Sequence, residues 1–416
     1  MKNEKLLNAI GKIEDNVIFG ADNDTKAKKK HVWLKWGSVA VCLALAVFAG
    51  IRLIPNSNSQ EEIVDTQLIP DSISPEELPT LPMLSVSESA NAVTGFEGYM
   101  VYEISELVNA NPWNEDTEIS ALPVYQNPLS YDENLIVHGA DFEVMKDVLL
   151  EVANRFGMDT DNLTISDNSM SAEDQAAVLE KTDGDVPDGY FNPTEVFVRE
   201  NDIKIEVDTS LTATITFDPA ITLPDGYEFF HYSSYDDIVS TAEYLKEAYK
   251  DLLGMDRPQI IIAGGDYNIY LQQSYHIEFY NAADNMTEQI LNYNFNRAAF
   301  YCDDNGDLYM ARIYQPDLSE KVADYPIISA GKAEELLLNG NYATTVPYEM
   351  PGKKYIAKSE LIYRTSNYEE YYMPYYRFYI ELPDMEKDNG IKHYGAYYVP
   401  AVNESYITNM PVWKPN

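Results

Sequence analysis

The chain has 416 residues, 45% of them hydrophobic, which is material for two or three folded units with a substantial core. Its formal net charge of −39 is unevenly spread: residues 1–36 hold eight Lys against five Asp and Glu, residues 37–54 add only Arg52, and the remainder holds 20 basic and 63 acidic residues, a net −43. Such a body repels phosphate over most of its surface, which argues against nucleic acid as a partner.

Residues 1–30 open with Leu6, Leu7, Ile10, Ile13, Val17 and Ile18 at three-to-four spacing, the pattern of an amphipathic helix. A helix this short is marginal alone in water, so its stripe needs a partner protein or the membrane surface. Glu4, Glu14 and Asp15 dilute the basic character that an anionic-lipid binder shows, which favours the protein partner, with Leu6, Leu7, Ile10, Ile13 and Val17 as its contact residues.

Residues 31–54 contain an apolar run from Gly37 to Ile54, lengthened by Trp33, Leu34 and Trp36 to about the ~20 residues that cross a bilayer. Lys26, Lys28, Lys29, Lys30 and Lys35 precede it, and by the positive-inside rule they keep the N-terminus in the cytoplasm and place the body outside. A cleaved signal peptide is the alternative, with Ala44-Leu45-Ala46 as a small-x-small site. The long N-terminal segment with its own amphipathic pattern speaks for an uncleaved anchor.

The opening Met1-Lys2-Asn3-Glu4-Lys5-Leu6-Leu7-Asn8-Ala9-Ile10-Gly11-Lys12-Ile13, the Lys cluster, and Trp36-Gly37 leading into an Ala/Val/Leu/Cys run together resemble single-pass membrane proteins of clostridial Firmicutes regarded as anti-sigma-factor-like regulators. The resemblance covers about the first 50 residues. It implies a short cytoplasmic segment that binds a sigma factor and an external sensor domain. The chain departs from the zinc-binding anti-sigma pattern, because no His-x3-Cys-x2-Cys stands before the apolar run.

Residues 55–95, with Pro55, Pro70, Pro75, Pro79 and Pro82 among Ser, Glu, Asp and Asn, read as a disordered stalk, so the folded body is expected from Phe96. In residues 96–232, strands are expected at Gly98–Ile104 and Leu122–Gln126. An amphipathic helix over Asp141–Phe156 is stopped by Gly157, and strands follow at Leu163–Ile165, Glu195–Val207 and Leu211–Phe217. In residues 233–416 a helix over Tyr235–Leu253 is stopped by Gly254. A strand at Ile260–Ala263 is expected to turn at Gly264-Gly265-Asp266 into Tyr267–Gln273, followed by strands at Tyr275–Tyr280, Asn294–Cys302 and Leu308–Tyr314. A shift of 97 residues lays Phe156-Gly157-Met158-Asp159 on Leu253-Gly254-Met255-Asp256; either an internal repeat or two coincident Gly caps produce that match. A helix at Ser329–Leu338 and strands at Lys354–Arg364, Met373–Leu382 and His393–Val402 complete an α+β body of helices packed on twisted antiparallel sheets. By layout alone this body is similar to PepSY-like domains and to the external domains of two-component-system regulators.

Catalytic and metal signatures are missing. The five histidines His31, His138, His231, His276 and His393 have no ligand spacing, and Cys302, the only cysteine of the body, reads as a small buried residue without a disulfide partner. Asp303-Asp304-Asn305-Gly306-Asp307 starts like a calcium loop, but its twelfth position is Tyr314, so it reads as a hairpin turn. No cofactor is expected. The tyrosines of the last strands offer one ligand hypothesis, that Tyr375, Arg377 and Tyr379 line an exposed face able to stack on wall glycans or grip a peptide. The opposing reading makes them amphipathic strand residues with hydroxyls at the sheet rim.

Overall fold

The computed structural model describes residues 78–81, 99–102, 110–132, 137, 139–230, 232–268, 270–344, 346–385, 390–410 and 412. The segment expected to form the N-terminal helix, the apolar run and most of the expected stalk lie outside them. No helix among the described residues is long and apolar enough to cross a membrane.

The body is α+β. In chain order its strands are β1 (Tyr99–Tyr102), β2 (Ala121–Gln126), β3 (Ser166–Asp167), β4 (Glu195–Glu200), β5 (Ile203–Asp208), β6 (Ala213–Ile221), β7 (Pro258–Tyr267), β8 (Gln273–Asn281), β9 (Arg297–Cys302), β10 (Leu308–Tyr314), β11 (Lys321–Pro326), β12 (Ile356–Tyr363), β13 (Tyr371–Tyr372), β14 (Pro374–Glu381) and β15 (Lys392–Pro400). Its helices are α1 (Phe142–Arg155), α2 (Ala172–Lys181), α3 (Tyr235–Ala248), α4 (Lys250–Leu253), α5 (Met286–Phe295) and α6 (Ala330–Leu338). Among the described residues a 12-stranded sheet runs β12-β14-β15-β1-β7-β8-β9-β10-β6-β5-β4-β3, and a three-stranded sheet runs β11-β2-β13.

Polar side chains start the helices where the sequence supplies them. Asp141 accepts from the Val144 amide, Ser234 from Asp237, Asn285 from Glu288 and Ser329 from Lys332, each satisfying an amide that has no intrahelical partner. Helix α1 then buries Met145, Leu149, Val152 and Ala153, and α3 buries Ile238, Ala242 and Leu245. Both stripes enter one cluster with Val196, Val198, Ile205, Val207, Ile215, Ile277 and Phe279, so both helices lie on one face of the sheet. Full burial of each such Leu, Ile or Val stabilises by about 1.5–3 kcal/mol.

The strand order explains the 97-residue shift. Going outward from the central β6·β10 pair, one side reads β6-β5-β4-β3 and the other β10-β9-β8-β7, each a meander that follows its own helix. The strand order is thus symmetric about the β6·β10 pair. Near the helix ends, Arg155 Nη1 donates to the Leu252 carbonyl at 3.3 Å, across 97 positions of sequence. Gly157 and Gly254 both take left-handed φ, 74° and 60°, where other residues are strained. Of the two explanations of the sequence match, the structure favours the repeat. The 96–232 and 233–416 segments each contain one half, but they are not separate bodies, since Ile73–Asn416 forms one compact unit with the sheet running through it.

Some expectations are corrected. The helix expected over Tyr235–Leu253 is broken at Tyr249 into α3 and α4. Leu163–Ile165 is not a strand; pairing there is confined to β3. Gly264-Gly265 is a bulge inside β7, where the register against β8 shifts, and the strand continues to Tyr267. With φ of 99° and the Ser274 carbonyl oxygen 2.4 Å from where a Cβ would stand, Gly264 admits no side chain. Gly264→Ala is expected to destabilise by about 2 kcal/mol or more, measured by urea unfolding of the full chain. Helices α2 and α5 were not expected.

The stalk is not wholly separate from the body. Leu81 is 0% exposed and makes a parallel bridge to Ile407. Its amide donates to the Tyr406 carbonyl at 2.7 Å, and its carbonyl accepts from the Thr408 amide at 2.9 Å. The Tyr325 hydroxyl donates to the Pro79 carbonyl at 2.9 Å.

Candidate functional site

The face of the sheet opposite α1 and α3 carries the body's clustered ionic side chains. Along β12 and β14, Glu360 stands directly opposite Arg377, and Lys358 opposite Tyr379. Glu360 is 1% exposed. It accepts from Arg377 Nη2 at 2.6 Å and Nε at 3.2 Å and from the Tyr379 hydroxyl at 3.1 Å, while Lys358 Nζ lies 2.9 Å from its other oxygen. Burial works against the carboxylate, but Arg377 and Lys358 outweigh it and hold the Glu360 carboxyl down at about 2. Next to it, Arg297 Nη1 donates to Glu278 at 2.8 Å and Nε to the Tyr293 carbonyl at 2.5 Å, its guanidinium 4.6 Å from the Tyr293 ring centre. A second buried pair, Arg364 Nε to Glu369 at 2.6 Å, holds the loop between β12 and β13, where burial pushes the Glu369 carboxyl up to about 7 against the pull of Arg364.

The proposed ligand face of Tyr375, Arg377 and Tyr379 is corrected by burial. Tyr375 is 1% and Tyr379 2% exposed, and the Arg377 side chain 12%. The expected alternation holds, with Tyr375 and Tyr379 in one cluster and Tyr376, Phe378 and Ile380 in another. What sequence could not show is that the three-stranded sheet lays Val124, Ala323 and Tyr325 over the first of these faces. These tyrosines are interior residues. The Tyr379 hydroxyl donates to Glu360, and on the opposite face the Tyr376 hydroxyl donates to the Ile328 carbonyl, 2.7 Å away. Leu6, Leu7, Ile10, Ile13 and Val17 lie outside the described residues.

Beyond that cover the same face is open. Its side chains run in rows across the strands: Phe197, Glu206, Thr214, Arg312, Ala299, Glu278 and Ile261 are successive partners from β4 to β7. A parallel row runs Arg199, Lys204, Thr216, Met310, Tyr301. Ile261 closes the first row inside the core, whereas Arg199 and Arg312 are exposed. Lys204 pairs with Glu206 and lies 3.7 Å from Glu195, and its ammonium is 5.0 Å from the Phe197 ring centre. Burial and Glu278 push the Tyr301 hydroxyl up, and Arg312 pulls it down.

The remaining chemistry is quiet. Asp303 accepts from the Asn305 and Asp307 amides at 2.8 and 3.0 Å, which makes the acidic stretch a hairpin turn closed by Gly306. Burial pushes the Cys302 thiol up to about 11, so it stays protonated at neutral pH. Among the described residues no group of three His, Cys, Asp or Glu side chains is placed to hold a metal ion.

Compared with known proteins, the chain matches no protein-family model and no curated protein. Glu360 and Lys358 were missed by sequence reasoning. Their signal was alternating charge on a strand whose next same-face residue, Ile362, is buried.

Proposed function

We propose that the chain is a single-pass membrane-anchored regulatory protein, with an outer sensing body coupled through the apolar run to a short cytoplasmic segment that binds a sigma factor or another regulator. The observation that supports this reading is how the segment leading from the apolar run enters the body. Leu81 is sealed beside Ile407, and β1 is then inserted between β15 and β7, in the middle of the long sheet. A simple tether would be expected to end at the surface. Here a shift between the β12-β14-β15 part and the duplicated part would act directly on the chain that leads to the membrane. The reading gives the protein no catalytic step.

The test is made on the full chain. Changing Leu6, Ile10 and Ile13 together to Asp places charge in the apolar stripe, and recovery of the cytoplasmic partner is expected to fall at least about tenfold, with a matching change in partner-dependent transcription. Unchanged recovery and unchanged transcription would overturn the proposal. A second reading, an anchored cell-surface protein that binds wall glycan or peptide, is favoured by the open sheet face; its ligand residues would then lie there and not at Tyr375, Arg377 and Tyr379.

A further inference from the structure

The loop between β6 and α3, residues 222–234, carries an apolar patch to the surface. Within it Tyr227, Phe230 and Tyr232 are exposed, and so is Ile221, the last residue of β6. The loop is pinned from below. Phe229 is 2% exposed and enters the core with α3, which leaves Phe230 outside at 42%. The Phe230 amide donates to the Ser233 hydroxyl at 2.8 Å, and the Thr241 hydroxyl of α3 donates to the Glu228 carbonyl at 2.8 Å. The Tyr227 ring stacks on Tyr244 of α3, with centres 4.4 Å apart. The β9–β10 turn completes the patch: Ile221 pairs with Leu308, and the Phe230 ring lies against Gly306, where a Cβ would come within 2.9 Å of it. Single exposed apolar residues need no explanation, but four large ones gathered by one fixed loop and one turn form a contact surface.

Charge decides what can cover it. Residues 213–245, from the start of β6 through the loop into α3, hold six acids and no Lys or Arg, and residues 298–311 hold Asp303, Asp304 and Asp307 and again no base. The body elsewhere mixes in its 20 bases among 63 acids, so this surface lacks the cations that the rest carries. Asp225 and Glu228 of the loop and Asp304 of the turn are exposed beside the rings. A second copy of the chain would set these acids against each other, and an anionic bilayer would be repelled in the same way. Rings bordered by carboxylates suit ammonium and guanidinium groups, which lie over the ring faces while the carboxylates balance their charge. Apolar side chains next to those cations would bury Ile221 and Phe230. We propose that this patch docks a cationic peptide in which Lys or Arg stands beside apolar residues.

The proposal rests on the reading that the body is the sensing part of the protein, and it names the class of ligand sensed. It is tested by titrating the full chain into a dye-labelled short peptide of Lys and Leu, with peptides carrying Glu for Lys and Ser for Leu as comparisons. Saturable binding of the Lys-Leu peptide is expected, at least about tenfold tighter than that of either comparison and weaker as salt rises. Tyr227→Ser with Phe230→Ser is expected to weaken it at least about tenfold. Asp225→Asn with Glu228→Gln and Asp304→Asn, which keeps the shape and removes the charge, is expected to do the same with an unchanged unfolding midpoint. Neutralising Glu173, Glu180 and Asp188, exposed acids between β3 and β4, is expected to leave binding unchanged. No saturable binding, an equal loss in that last variant, equal binding of either comparison peptide, or a dimer of the chain that Tyr227→Ser with Phe230→Ser dissolves overturns the proposal. Failure here leaves the sigma-factor reading to its own test at Leu6, Ile10 and Ile13, because neither measurement depends on the other.

Discussion

Glu360→Gln is expected to cost about 3–5 kcal/mol of stability at neutral pH, because it leaves the buried Arg377 charge without its carboxylate. The geometry gives the loss no easy relief: Arg377 donates two bonds to Glu360, and the Tyr379 hydroxyl and Lys358 converge on the same carboxyl. The pH dependence has a definite sign. The Glu360 carboxyl lies at about 2 in the folded protein against an ordinary value of 4.5, so its contribution is complete above 4.5 and is lost as pH falls through about 2. That window spans about 3 kcal/mol. Denaturant unfolding of the parent and the Glu360→Gln protein, from pH 7 down to pH 2, should therefore show two curves that converge on acidification; a constant gap would place the stabilisation elsewhere. Glu369 has the opposite sign, since a carboxyl raised to about 7 contributes stability below 4.5 that is lost as pH rises through 7.

Leu81→Asp is expected to be comparably severe, at least about 3 kcal/mol, since it puts a carboxylate into a site that is wholly buried between Ile407 and its cluster. Leu81→Ala, which leaves a cavity without adding charge, should cost about 2–5 kcal/mol. Scanning calorimetry of the full chain measures both. A midpoint unmoved by either change would mean that the stalk only touches the body, and would remove the support this contact gives to signal transfer toward the membrane.

How much was legible in the sequence varies with the range of the interaction. Helix α1 was readable to within a residue because its signals are local: Asp141 as cap, a four-residue apolar repeat, and Gly157 as stop. Helix α2 was invisible because it buries no residue, so no stripe marks it. Helix α5 carried a readable start, Asn285 with Glu288 three positions on, yet its Asn294 and Phe295 looked like the beginning of the next strand. The Gly264-Gly265 pair reads equally as a turn or a bulge until the partner strand is known, and the partner, β8, keeps pairing beyond it.

The candidate site was legible in part. Strand alternation separated Tyr375 and Tyr379 from Tyr376 and Phe378, but alternation says only that two faces differ, and both proved to be covered. The row through Arg312 was not legible at all, because its members come from six strands spread over residues 197–312 and meet only through register.

By itself the sequence determined the polarity of the chain, a basic head, an apolar run and a body of net −43, together with the helices whose caps and stripes are encoded within one segment. Those features depend on neighbours within a few residues. Only the tertiary structure decided that the two helix-and-meander halves share one sheet about the β6·β10 pair, that β1 enters between β15 and β7, and that the tyrosine face is interior while the Arg312 face is open. Each of these depends on which distant strands pair, and backbone pairing is set by groups that every residue carries alike, so the choice is made by the packing of the whole body.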